Sequence, residues 1–201
     1  MEYGTDYFAG WDMFEYSACN IISEAIDMIE KIGSPKSSSC FVPSHTWKVI
    51  DDRMGIEAAE GGVRYFELSK YFDNPGCEIV SCRPADITYD TEKQMLKMAR
   101  QIVDQKTGYD YLGLIGDVVE GMIGIDRMIP ELHKIANPLH SSHNMFCSAV
   151  VAALNKSTAQ YQNIDLFTNF TISKISPLML YTAFPYDVKI SVKKVGNERK
   201  R

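Results

Sequence analysis

Three residues whose side chains work together in nucleophilic catalysis stand in separate parts of this sequence. His45 and Glu57 each interrupt an apolar stretch that is typical of a β-strand, and Cys147 opens an apolar stretch that is typical of a helix. A thiolate can attack an acyl carbon, an imidazole can accept the thiol proton, and a carboxylate can orient the imidazole. Acyl-group chemistry is therefore expected if the fold brings the three side chains together.

The spacing of His45 and Glu57 predicts that they meet across a hairpin. Residues 41–50 and 54–59 are both strand-like, and a polar turn begins between them at Asp51. The twelve-residue separation of the two side chains is even, so a turn centred on Asp51 places them directly opposite, about 5 Å apart. A turn centred one residue later leaves them as diagonal neighbours. Either register predicts a hydrogen bond between imidazole and carboxylate.

An apolar helix is predicted over residues 146–155, and Cys147 lies in its first turn. The positive end of the helix dipole and an adjacent imidazolium both favour the thiolate form of such a cysteine. The backbone N–H groups of the first helical turn are also natural donors to a developing oxyanion.

The remaining pattern predicts an α+β fold with an antiparallel sheet packed against helices. Helices are expected at residues 20–31, at 91–105 with Thr91 as the cap, and from Ser176-Pro177, and strands at 63–66, 78–82 and 188–195. We expect residues 1–201 to form one domain, of which the last ~6 residues are a flexible basic tail.

Composition narrows the classes of function. The net charge of −5 argues against a nucleic-acid-binding face. No stretch approaches the ~20 apolar residues of a membrane span. The five cysteines are scattered and no export signal is visible, so reduced thiols and a cytoplasmic location are expected.

Five segments of the chain, taken in order, resemble those of a known family of enzymes. The family is the permuted papain-like, NlpC-type cysteine hydrolases, specifically the YiiX-like group. The matching segments are Pro43-Ser44-His45, the Ile56–Val63 segment with Glu57-Ala58, Tyr109-Asp110-Tyr111, Phe146-Cys147-Ser148 and Ile175-Ser176-Pro177. The chain departs from the family at Ala149, where a Glu is frequent, and Gly10-Trp11-Asp12 is its nearest counterpart to the usual Gly-Asp opening.

This resemblance implies a circularly permuted papain-like fold and a Cys-His-Glu triad. Cys147 would be the nucleophile, His45 the base and Glu57 the third member, and a thioester acyl-enzyme would form without a cofactor. The substrate would be a peptide, an amino-acid amide or another acyl compound. Ser44, Tyr109 and Ser148, which lie within the motifs, would contact it.

Other interpretations of the sequence remain open. His140, His143 and Cys147 have a spacing that could bind zinc, with His133 or a water as the fourth ligand. The same fold could also belong to a lipid acyltransferase or thioesterase, with the glycine-rich residues 112–125 as a lid or as core, or to an inactive binding module. The sequence defines neither the substrate nor the oligomeric state.

Overall fold

The structure, a computed structural model, describes residues 9–17, 43–109 and 144–193. Within these ranges six strands form an antiparallel sheet, accompanied by five α-helices and one short 3-10 helix (Ile172–Lys174). The strands of the sheet are β1 (Asp12–Ser17), β2 (His45–Val49), β3 (Met54–Ala59), β4 (Gly62–Glu67), β5 (Cys77–Pro84) and β8 (Tyr186–Lys193). The helices are α1 (Ser69–Phe72), α2 (Tyr89–Asp104), α3 (Cys147–Lys156), α4 (Asp165–Asn169) and α5 (Pro177–Ala183). The predicted α+β class with an antiparallel sheet is confirmed.

The strand order β4-β3-β2-β1-β5-β8 puts β1 inside the sheet, between β2 and β5. Alternate residues of each strand face opposite sides of the sheet. One side packs against α2, α3, α4 and α5 through residues such as Phe14, Val80 and Ile56. The other side carries Trp47 and Met13 beneath the short helix α1. Because both sides are covered, the inner strands are buried on each face.

A buried ion pair links β1 and β2 on the side that faces α3. Asp12 and Lys48 are partners in the strand register and form a salt bridge, and both are almost completely buried. Asp12 Oδ2 also accepts hydrogen bonds from Asn155 Nδ2 at 2.9 Å and from Tyr186 Oη at 2.8 Å. Lys48 Nζ donates to the carbonyl of Gly10 at 2.8 Å. These partners compensate both charges, which would otherwise be costly to bury.

A second sheet has two strands, and its second strand lies directly before α3 in the chain. Its strands, β6 (Gly108–Tyr109) and β7 (Asn144–Met145), run parallel. The segment before β6 lies against β4, where Val63 N donates to Thr107 O at 2.8 Å. Gly62 has a φ of +107°, and a Cβ atom there would stand 2.5 Å from Thr107 O. Glycine at this position therefore permits both the turn and the close approach.

Several predicted elements are confirmed with small changes at their ends. The strand predicted at 54–59 has those bounds, and Ser176 caps α5 by accepting from Met179 N. The prediction that Thr91 caps the long helix is wrong. Thr88 is the cap, because it is extended and its side chain accepts from Thr91 N. Strand β1 and helices α1 and α4 were not predicted.

Some predictions fall on residues outside the described ranges. These are the helix at 20–31, the lid or core segment at 112–125, and the basic tail formed by the last ~6 residues.

Candidate active site

His45 is the first residue of β2 and projects into the layer between the sheet and α1. It pairs with Glu15 of β1 in the strand register. Its ring centroid lies 5.9 Å from that of Trp47 and 5.6 Å from that of Tyr71, and 18% of its side chain is exposed. The imidazole is therefore held by aromatic rings, but one edge of it still reaches solvent.

Glu57 lies beside His45 on the neighbouring strand, and the hydrogen bond expected from the hairpin is present. His45 Nε2 is 3.2 Å from Glu57 Oε2. The pairs Lys48–Ile56 and Val49–Gly55 centre the turn on residue 52. Glu57 is consequently diagonal to His45, which is the second of the two registers expected.

The Glu57 carboxylate is fully buried and accepts hydrogen bonds from four side chains. Lys70 Nζ lies 2.6 Å from Oε1, and Arg64 reaches the same oxygen with Nε at 3.2 Å and Nη2 at 3.1 Å. Tyr71 Oη donates to Oε2, the oxygen next to His45, at 2.5 Å. Burial alone would raise the pKa of Glu57, but the hydrogen bond and charge of His45, followed by the hydrogen bonds of Lys70 and Tyr71, outweigh it and hold the pKa well below its usual range. Glu57 is therefore ionised.

Cys147 is the first residue of α3, where the chain changes from extended to helical. Phe146 is the N-cap, with φ −101° and ψ 172°, and the ten-residue helix follows directly. Cys147 is 4% exposed and has a free thiol. The first N–H groups of a helix have no partner within the helix, and they give its N-terminus a partial positive charge. The sulfur thus lies beside donors suited to a developing negative charge.

The Cys147 side chain is close enough to His45 to influence the pKa of the imidazole. Burial by itself would lower the pKa of His45, but the charge and the hydrogen bond of Cys147, the hydrogen bond of Glu57 and the charge of Glu15 raise the pKa to about 10. Because Nε2 is directed at Glu57 and Tyr71, Nδ1 is the nitrogen available to the sulfur. His45 therefore lies between the thiol and the carboxylate.

Three residues were predicted to contact the substrate, namely Ser44, Tyr109 and Ser148. Ser44 is 2% exposed, and its hydroxyl donates to Glu15 O at 3.4 Å. Ser148 is fully buried, and among the described residues its hydroxyl has no hydrogen-bond partner. The backbone of Tyr109 lies in β6, whereas its side chain is outside the described part of the structure. The substrate-binding roles of all three stay predictions.

Sequence reasoning missed four polar residues that complete the site. Arg64 is the register partner of Glu57, so the strand pattern could have indicated it. Lys70 and Tyr71 lie on the four-residue helix α1, which has no periodic pattern to reveal it. Glu15 is 4% exposed, and its carboxylate accepts a hydrogen bond from the Cys77 thiol, with an Oε1–Sγ distance of 2.7 Å.

The described part of the structure gives no support for the zinc interpretation. No group of three or more His, Cys, Asp or Glu side chains is arranged to hold a metal ion within residues 9–17, 43–109 and 144–193. The other proposed ligands, His133, His140 and His143, lie outside those ranges. The binding of zinc by these residues therefore stays a sequence-based alternative.

No helix within residues 9–17, 43–109 and 144–193 combines the length and the apolar character needed to cross a membrane.

Comparison of the chain with protein-family models, with curated proteins and with solved structures gives no match. The side-chain geometry described above, together with the sequence motifs, is what bears on the function of this chain.

Proposed function

We propose that this chain is a cysteine hydrolase with a circularly permuted papain-like fold, in which Cys147 is the nucleophile, His45 the base and Glu57 the orienting carboxylate. The observation that carries the proposal is the position of the His45 imidazole between the Cys147 thiol and the buried Glu57 carboxylate. The strand that holds His45 precedes the helix that holds Cys147, which is the order expected of a permuted chain.

In the proposed reaction the sulfur of Cys147 attacks the carbonyl carbon of an amide, peptide or related acyl compound. Before the attack His45 Nδ1 takes the thiol proton, because the pKa of His45 is raised to about 10, and it then gives this proton to the leaving group as the bond to the acyl carbon breaks. The product of this half-reaction is a thioester on Cys147. A water, deprotonated by His45, attacks the thioester, and the acid is released as the thiol is restored.

Glu57 stabilises the imidazolium that forms in both steps. It is fully buried and ionised, and its Oε2 faces Nε2 of the imidazole at 3.2 Å. Arg64 and Lys70 hold the other carboxylate oxygen, so Glu57 cannot turn away from His45 without breaking those contacts. The backbone N–H groups at the start of α3 would receive the negative charge that develops on the carbonyl oxygen.

The direct test is to trap the thiol. We expect iodoacetamide to modify Cys147 faster than any other cysteine of the folded chain, and His45→Ala to abolish that advantage. Cys82 is an internal control, because it is also buried, and burial, followed by the charge of Asp12, raises the pKa of its thiol. Equal rates at Cys147 and Cys82 in the native protein would contradict the proposal.

A further inference from the structure

The Tyr71 hydroxyl meets three polar groups of the candidate site at once. Its oxygen lies 2.5 Å from Glu57 Oε2, 3.0 Å from Lys70 Nζ and 3.1 Å from His45 Nε2. A phenol has one proton to donate and two lone pairs that accept. The three contacts therefore have to share one donor position and two acceptor positions.

The chemistry of the three partners determines in which contacts the Tyr71 hydroxyl donates and in which it accepts. The Lys70 ammonium can only donate, so it takes one lone pair of the Tyr71 oxygen. The ionised Glu57 carboxylate can only accept, so it takes the phenol proton. The remaining lone pair faces His45, and Nε2 can satisfy it only as an N–H donor. We infer that Tyr71 is a positioning residue that fixes His45 in the Nε2–H tautomer.

The assignment also explains the two similar distances around Nε2. Its hydrogen is shared between Glu57 Oε2 at 3.2 Å and Tyr71 Oη at 3.1 Å, as in a three-centre hydrogen bond. Neutral His45 then carries its lone pair on Nδ1, the nitrogen that remains for Cys147. The opposite tautomer would direct an N–H at the thiol, and the imidazole could not accept the thiol proton. This catalytic consequence rests on the proposed function, whereas the tautomer itself does not.

The Tyr71 ring is held independently of its hydroxyl. It stacks on Trp47 with a centroid distance of 4.3 Å and an interplanar angle of 14°, and it meets Phe66 edge-on at 5.3 Å. Phenylalanine retains these packing contacts but provides no hydroxyl. Tyr71→Phe therefore removes the hydrogen bonds and leaves the aromatic layer in place.

The charged and titratable groups around this position come from five elements. Four of these groups face His45: Glu15 on β1, Glu57 on β3, Tyr71 on α1 and Cys147 on α3. Glu15, Glu57 and Cys147 raise the pKa of His45, and Tyr71 contacts its Nε2. Arg64 on β4 and Lys70 on α1 face Glu57 from its other side. Removing Cys147 takes away its contribution to the raised pKa of His45, so the neutral tautomer of His45 can be observed at a lower pH.

The test is nitrogen NMR of the full chain carrying Cys147→Ala and ¹⁵N-labelled histidine, at a pH above the midpoint of the His45 titration. His45 signals are identified by their loss in His45→Gln. We expect the Nε2–H form to dominate. Adding Tyr71→Phe should lower the ratio of the Nε2–H to the Nδ1–H form about fivefold, because one hydrogen bond of ordinary strength is lost. Tyr89→Phe, at a residue that is 68% exposed, should leave the ratio unchanged.

Two results would overturn the inference. One is a dominant Nδ1–H form in Cys147→Ala, which is decisive even if Tyr71→Phe does not fold. The other is an unchanged tautomer ratio in a folded Tyr71→Phe protein. Failure of the proposed function has a separate signature, namely a Cys147 thiol in the unsubstituted chain that reacts no faster than Cys82.

Discussion

Glu57→Gln removes the buried charge next to His45 with little change in side-chain shape. The carboxylate accepts from His45 and Tyr71 on one oxygen and from Lys70 and Arg64 on the other. A glutamine has only one oxygen, so its NH₂ group must face donors on one of the two sides. We therefore expect the imidazolium form of His45 to be less stable and some of the local hydrogen bonds to be lost.

The size of the effect follows from the distance between the two groups. Unit charges 3.2 Å apart interact by about 5 kcal/mol at an effective dielectric constant of about 20. The glutamine side chain still has an oxygen that can accept a hydrogen bond from His45 Nε2, so we take about half of this value as the net loss. At about 1.4 kcal/mol per factor of ten, the proposed hydrolysis should slow roughly 70-fold.

The assay needs no knowledge of the substrate. Iodoacetate is an anion, so its reaction with Cys147 is favoured while His45 is an imidazolium and slows once His45 loses its proton. The pKa of His45, raised to about 10, places this decline in the alkaline range. In Glu57→Gln the midpoint of the decline should move down by about two pH units. Labelling of the Cys147 peptide is followed by mass spectrometry across the pH range.

Glu60→Gln is the matched control, since Glu60 is an exposed residue in the turn that follows the same strand. It should leave the profile of Cys147 labelling unchanged. If folded Glu57→Gln gave the same pH profile as the unsubstituted chain, the idea that the Glu57 charge stabilises the imidazolium would be wrong. Circular dichroism of both variants establishes that they are folded.

Three further predictions follow from the described contacts. Cys147→Ala should keep the melting temperature within a few degrees in a thermal scan, yet remove the fast-reacting thiol. Because the pKa of His45 is raised from 6.5 to about 10, its charge stabilises the fold fully below pH 6.5. Urea titrations should show the free energy of unfolding falling as the pH rises from 6.5 to about 10. His45→Gln should lack this fall. Gly62→Ala should destabilise by about 1–3 kcal/mol, because its Cβ would meet Thr107 O at 2.5 Å and its φ is positive. Gly61→Ala has a φ of +91° but open space, so urea denaturation should show a smaller loss.

The hairpin that carries His45 and Glu57 was predictable because local rules determine it. Strand residues alternate between faces, and the even separation of the two side chains put them on one face whichever residue centred the turn. The start of α3 at Cys147 was also evident within one residue, from the change from a polar to an apolar run.

Other parts of the site were not predictable because only tertiary contacts define them. Helix α1 is too short to show a helical period, so Tyr71 gave no signal of its position over His45. Strand β1 is covered on both sides, and therefore its adjacent residues Met13 and Phe14 are both buried instead of alternating. Its polar residues Asp12 and Glu15 gave no sign in the sequence of being buried, although both are buried in contact with other side chains.

The location of β1 in the middle of the sheet has a consequence for how the chain folds. Its partners β2 and β5 follow it in sequence, and β8, at the C-terminal end of the described residues, closes the edge beside β5. Such long-range pairing makes folding slow relative to helical proteins of similar size. During synthesis His45 emerges from the ribosome well before Cys147, and the two meet only when the sheet and α3 have docked. The thiol therefore acquires its partner at a late stage of folding, so the rate at which Cys147 gains its reactivity would report directly on the arrival of the native state.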